Sequence, residues 1–97
     1  MKKFGELIST QKPVLLDFYK EFDGKNDNLK ILRNLAAIFG SRAKIIKIDI
    51  SKNEFLADAL DINTNPTFMI YKNGEMKWRE TGVQDETALI SLLNKYI

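Results

Sequence analysis

The sequence predicts an α/β fold: one mixed four-stranded sheet with helices on both faces. Three observations carry this. Apolar runs of strand length alternate with segments of helical periodicity in the order α-β-α-β-α-β-β-α. The first two strands are separated by a helix of crossover length, so they run parallel with a right-handed connection. The last two are joined by Lys72-Asn73-Gly74-Glu75, whose Asn-Gly pair is a strong hairpin signal, so they run antiparallel. Both faces of such a sheet are apolar and need helices to cover them.

Each element has a local reason. Between Lys2 and Ser9, Phe4, Leu7 and Ile8 share one helical face, and Thr10-Gln11-Lys12-Pro13 ends the helix. Pro13 cannot donate to a ladder and suits a strand's first position. Val14 to Phe18 is nearly continuous in apolar residues, the pattern of a strand buried on both sides, with Asp17 the exception. From Asp27 onward, Leu29, Leu32, Leu35, Ala36 and Phe39 recur at helical spacing, and Gly40 stands where a C-terminal cap belongs. Lys44 to Ile50 is the second strand. Ser51 and Glu54, three apart, are expected to form a capping box opening a short helix through Leu60. Thr67 to Tyr71 and Met76 to Thr81 are the hairpin strands, and Leu89, Ile90, Leu92, Leu93 and Tyr96 mark a terminal amphipathic helix.

Ninety-seven residues with 44% hydrophobic content describe a single domain, 1–97. A chain of this size buries ~60–65% of its unfolded surface, enough for a core without staples. No stretch reaches the ~18–20 apolar residues of a membrane span. The start, Met1-Lys2-Lys3-Phe4, has a signal peptide's charge without its apolar centre, so the expected location is cytoplasmic. The net charge of +2 is spread without a basic block, which gives no support to nucleic-acid binding. The chain contains no Cys and no His. Disulfides, thiolate chemistry and imidazole catalysis are therefore excluded from it.

Several stretches match a known family in order: Lys12-Pro13-Val14-Leu15-Leu16-Asp17-Phe18-Tyr19, then Asn65-Pro66-Thr67-Phe68, then Lys72-Asn73-Gly74-Glu75, and Gly82 after the last strand. From about Lys12 to Ile97 the chain resembles a thioredoxin. The resemblance implies the thioredoxin fold, although members usually carry one more N-terminal strand. It also implies a redox motif that is missing here. Where the family reads Trp-Cys-Gly-Pro-Cys-Lys, this chain reads Phe22-Asp23-Gly24-Lys25-Asn26-Asp27. Asp23 stands at the attacking cysteine's position and Asn26 at the resolving one's. Disulfide exchange needs a thiolate and a second thiol, and neither carboxylate nor amide replaces them.

The same residues have plainer readings. An aspartate at a helix N-terminus accepts the unpaired backbone N–H groups, so Asp23 is expected as a structural N-cap. The oxygen-rich stretch 23–28 matches no EF-hand spacing and has Lys25 in its middle; no metal and no other cofactor is expected. Asp17, inside an apolar strand, needs a partner or a proton. The family's pattern supplies Lys47 on the neighbouring strand, and the expectation is a partly buried Asp17–Lys47 pair. Such a pair either fixes strand register or serves as an acid or base.

By resemblance, Asn65-Pro66-Thr67 is the family's cis-proline loop, and Phe22, Asn65, Pro66, Thr67 and Gly82 line a groove where an extended peptide can pair with exposed backbone groups. The expected partner is an extended peptide or a protein; a monomer is expected, with an edge-paired dimer as the alternative. Trp78 and Arg79 lie on the last strand, with Trp78 expected as a half-buried packing residue. Two other functions stay open: a non-thiol enzyme using Asp23 or Asp17 with Lys25 or Lys47 as acid and base, and a non-catalytic scaffold subunit in a thiol-redox complex.

Overall fold

The computed structural model describes residues 2–20 and 27–97. The elements are α1 (Lys2–Ile8), β1 (Val14–Tyr19), α2 (Asp27–Phe39), β2 (Lys44–Asp49), α3 (Glu54–Ala59), β3 (Thr67–Lys72), β4 (Glu75–Thr81) and α4 (Glu86–Tyr96), with single 3-10 turns at Gly40–Arg42 and Ile50–Lys52. The sheet order is β2-β1-β3-β4. β1 pairs parallel with β2, as the helical crossover requires, and β3 pairs antiparallel with β4, as the hairpin requires; β1 and β3 also pair antiparallel.

Alternation along β1 sorts the core. Val14, Leu16 and Phe18 face Ile8, Leu56, Met69 and Tyr71, the side covered by α1 and α3. Leu15 faces Leu35, Phe68, Ile70, Leu89 and Leu93, the side covered by α2 and α4. Val14, Leu15, Leu16 and Phe18 are all fully buried, so β1 is the sheet's centre. Each such side chain contributes about 1.5–3 kcal/mol on burial.

The hairpin turn follows its dipeptide. Asn73 and Gly74 have φ of 55° and 79°, the left-handed values that a two-residue hairpin of the primed type demands. The turn's amides then serve a second purpose: Gly74 N–H donates to Ile8 C=O at 2.9 Å and Asn73 N–H to Thr10 C=O at 2.8 Å. The end of α1 is thereby satisfied by the far hairpin. Gly40 follows α2 with φ 56°, the conformation expected of a C-terminal cap.

Three details differ from the sequence reading. The Ser51–Glu54 capping box does not form. Ser51 belongs to a 3-10 turn, and both its N–H (2.9 Å) and its hydroxyl (2.6 Å) donate to Asp49 Oδ1, leaving α3 to start after Asn53 without a side-chain cap. Asp49 thus captures the serine first. Second, the β3–β4 ladder shifts register between Ile70 and Tyr71, a bulge that no sequence signal marked. Third, Arg79 is a structural residue: its guanidinium donates to Leu60 C=O (2.7 Å) and Asp61 C=O (2.9 Å), closing the end of α3. Trp78 is half-buried against the α2/α4 core, as expected of a packing residue.

Candidate functional site

The parallel pair β1–β2 ends at Tyr19 and Asp49, and the chain leaves β1 toward residues 21–26 before α2 begins. In open α/β sheets this carboxyl end of the parallel strands is the usual place for a ligand. The expectations for Phe22, Asp23, Gly24, Lys25 and Asn26 lie outside the described residues. What remains of the candidate site is the strip running from Asn65 to Gly82, and Asp17 beneath it in the sheet.

The Asn65–Pro66 peptide bond is cis. Pro66 C=O accepts from Gly82 N–H at 2.8 Å, which carries the β3–β4 pairing one step beyond Thr67 opposite Thr81. Thr67 is fully buried, and its hydroxyl donates to Thr64 C=O at 2.6 Å, pinning the loop from below. Gly82 has φ 91°, a value a side chain disfavours, and its carbonyl accepts from the Gln84 amide at 3.1 Å. Asn65 differs from these neighbours. It is half-buried, and among the described residues neither its backbone N–H nor its C=O has a hydrogen-bond partner. Beside it opens a cavity of about 320 Å³ between α3 and the loop, whose lining includes Ile50, Glu54, Asp58, Ile62 and Thr64. Val83, directly after Gly82, is 72% exposed. Neither the cavity nor the exposed valine was anticipated; an apolar residue in a polar connection such as Val83-Gln84-Asp85 is the signal that could have drawn attention to it.

Asp17 is 2% exposed, and its Oδ1 has no hydrogen-bond partner. Burial pushes its pKa up from 3.8 to about 7, against the opposing pull of the Lys47 charge. In the parallel register Asp17 and Lys47 are direct neighbours. They do not make the expected buried pair. Lys47 is exposed, its ammonium lies 5.8 Å from the centroid of the Tyr19 ring, and the one ion pair among the described residues is Lys77–Glu75 at 2.9 Å. The reason is position: β2 is an edge strand, so water solvates the ammonium better than a buried carboxylate would. Among the described residues no cluster of three or more acidic side chains could hold a metal ion.

Taken together, a four-stranded mixed sheet with paired helices on each face and a cis-proline loop beside the end of β1 defines the class of thioredoxin-like domains. Comparison with known proteins agrees. The thioredoxin family model matches residues 1–95, and the chain belongs to the thioredoxin family. It is 31% identical to a thioredoxin of Rickettsia felis over 93 residues, covering 95% of this chain and 89% of that one. A thioredoxin of Pyropia yezoensis is 33% identical over 93 residues, 95% of this chain and 87% of its own. Among solved structures, a single-residue mutant of a thioredoxin from Halobacterium salinarum superposes with a TM-score of 0.86 at 31% identity, covering 99% of this chain and 84% of that one. This chain differs from the redox motif that the resemblance implies in having no cysteine at all. No helix among the described residues is long and apolar enough to cross a membrane.

Proposed function

We propose that this chain is a redox-inactive thioredoxin-fold module that binds an extended peptide or partner segment along the strip formed by Asn65, Pro66, Thr67 and Gly82. The observation that carries this reading is Asn65. Its N–H and C=O point to no partner among the described residues while both flanking segments are hydrogen-bonded in place. A half-exposed, unpaired peptide group on a rigid support is what strand addition uses, and strand addition needs no sulfur. Val83, exposed at one end of the strip, offers an apolar contact for the incoming chain. Phe22 is assigned to the same groove by resemblance.

The test begins with insulin reduction, where the purified chain is expected to be inert. Proteins captured on the immobilised chain but not on Val83→Asp would then supply peptides for an NMR titration. Amide shifts concentrated at Asn65, Thr67 and Gly82 support the reading; a bound peptide that leaves those amides unmoved defeats it. Val83 is exposed, so the aspartate is expected to leave the fold intact.

One observation favours the acid–base reading: Asp17 holds a proton up to about pH 7, where general acids and bases work. At 2% exposure it touches no substrate in this arrangement. Asp17→Asn is therefore expected to leave peptide binding unchanged, whereas a proton-transfer role would cost it the activity and the pH dependence together.

A further inference from the structure

We propose that the outer edge of β2 is a second docking site, independent of the Asn65 strip, which accepts an extended acidic segment of a partner protein as a fifth strand. In the order β2-β1-β3-β4, β2 has one neighbour among the described residues. Lys44 N–H reaches Pro13 C=O at 2.9 Å, which fixes the direction of every peptide group along the strand. Lys44, Ile46 and Ile48 turn inward to β1, so Ile45 and Lys47 turn their N–H and C=O outward. Asp49 N–H also points outward, while its C=O is already taken by Asn53 Nδ2 at 2.9 Å. Among the described residues, the edge thus presents a short, regular row of unpaired groups.

The opposite edge is built differently. β4 contains a bulge, Arg79 is tied to the end of α3, and two carbonyls of β4 are occupied by side chains of this chain: Tyr96 donates to Lys77 C=O and Gln84 to Thr81 C=O. Those are the devices that keep an edge from pairing. β2 carries only its lysines, flanking half-buried Ile45 and Ile46.

Charge selects the occupant. From residue 42 to residue 52 the chain holds Arg42, Lys44, Lys47 and Lys52 against Asp49 alone, and Asp49 is engaged with Ser51. A second copy would bring the same cations against each other across the new ladder, where like charges are unfavourable. A strand with glutamate or aspartate among its apolar residues meets Lys44 on one face of the sheet and Lys47 on the other. Valine or a similar residue would then cover Ile45 and Ile46.

The probes are a short capped peptide of valine and glutamate, its lysine-for-glutamate counterpart, and a copy of the acidic peptide N-methylated at alternate residues. In an amide-resolved NMR titration of the whole chain, the acidic peptide is expected to shift the amides of Ile45, Lys47 and Asp49 and slow their exchange with solvent. Rising salt should weaken it. The N-methylated copy, which cannot complete the ladder, should not bind, and the double variant Lys44→Glu/Lys47→Glu should bind the acidic peptide at least ~10-fold more weakly. Equal binding of the lysine peptide overturns the proposal, as does the absence of any β2 shift. Shifts confined to Asn65, Thr67 and Gly82 also overturn it while leaving the strip's own role standing. Self-association of the chain through β2 amides, seen by sedimentation, would give the edge to a second copy instead. The N-methyl comparison uses the unaltered chain, so it decides the matter even if the double variant fails to fold.

Discussion

Asp17 lies in the middle of β1 and Asp49 at the end of the neighbouring β2, and both are buried, at 2% and 7% exposure. Their carboxylates are nevertheless driven in opposite directions. Asp49 Oδ1 accepts from both the hydroxyl and the N–H of Ser51, and these bonds, with Lys52 nearby, hold its pKa below the ordinary carboxylate value. Asp17 has an orphan Oδ1 and a cation only at a distance, and burial raises its pKa to about 7. Depth alone therefore decides little. Donors aimed at the oxygens stabilise the charged form, and their absence leaves desolvation unopposed.

The contrast sets a pH profile. Asp17 binds its proton more tightly folded than unfolded, so its favourable contribution is complete below pH ~4 and is lost as pH rises from there to about 7. Asp49 is the reverse: its contribution is present above the unfolded value and is lost on acidification through its lowered folded pKa.

The largest expected effect tests the first half. Asp17→Asn keeps the shape and removes the charge. It should unfold at higher urea than the wild type at pH 8, by a margin of about 4 kcal/mol, and the two should converge toward pH 4. A constant difference at all pH values would mean that Asp17 is not protonated in the way its burial demands.

A smaller effect tests the second half. Asp49→Ala frees the Ser51 donors and should lower the thermal midpoint at pH 7 by roughly 4–8 °C, as expected for one lost cap in a domain of this size. Ser51→Ala should do less, because the Ser51 N–H remains. Both losses should shrink below pH 4; if they persist there, the carboxylate's charge is not what Ser51 serves. The smallest effect sharpens the comparison. Lys47→Met removes the one cation that opposes desolvation, so the Asp17 titration followed by NMR should move further up from about 7. An unmoved titration would show that the exposed ammonium is screened by water.

Much of this architecture is legible locally. Asn73-Gly74 can take two consecutive left-handed residues at little cost, and the turn adopts that conformation. The unbroken apolar run of β1 reports burial on both faces, and Gly40 ends α2 as its position suggests. Ser51 departs from the capping box because a serine three residues before a glutamate carries no information about a competing acceptor, and Asp49 takes its hydroxyl. Arg79 gives no sequence clue either: its two carbonyl partners lie 18 and 19 residues away and meet it only after α3 packs on the sheet. At the candidate site, the loop around Pro66 was readable, and so were Asp17 and Lys47 as strand neighbours. That Lys47 would lean over Tyr19 and leave Asp17 unpaired was not, since edge position is a property of the whole sheet.

By itself the sequence settles what this chain lacks and which elements it builds. A polypeptide without sulfur nucleophiles cannot exchange disulfides, and apolar periodicity and turn residues act over a few positions, so both are visible without folding anything. Tertiary structure alone decides which backbone groups stay unpaired among the described residues, at Asn65 and along β2, and which of two buried aspartates keeps its proton. Those outcomes depend on what distant segments bring within hydrogen-bond reach, and no local pattern records that.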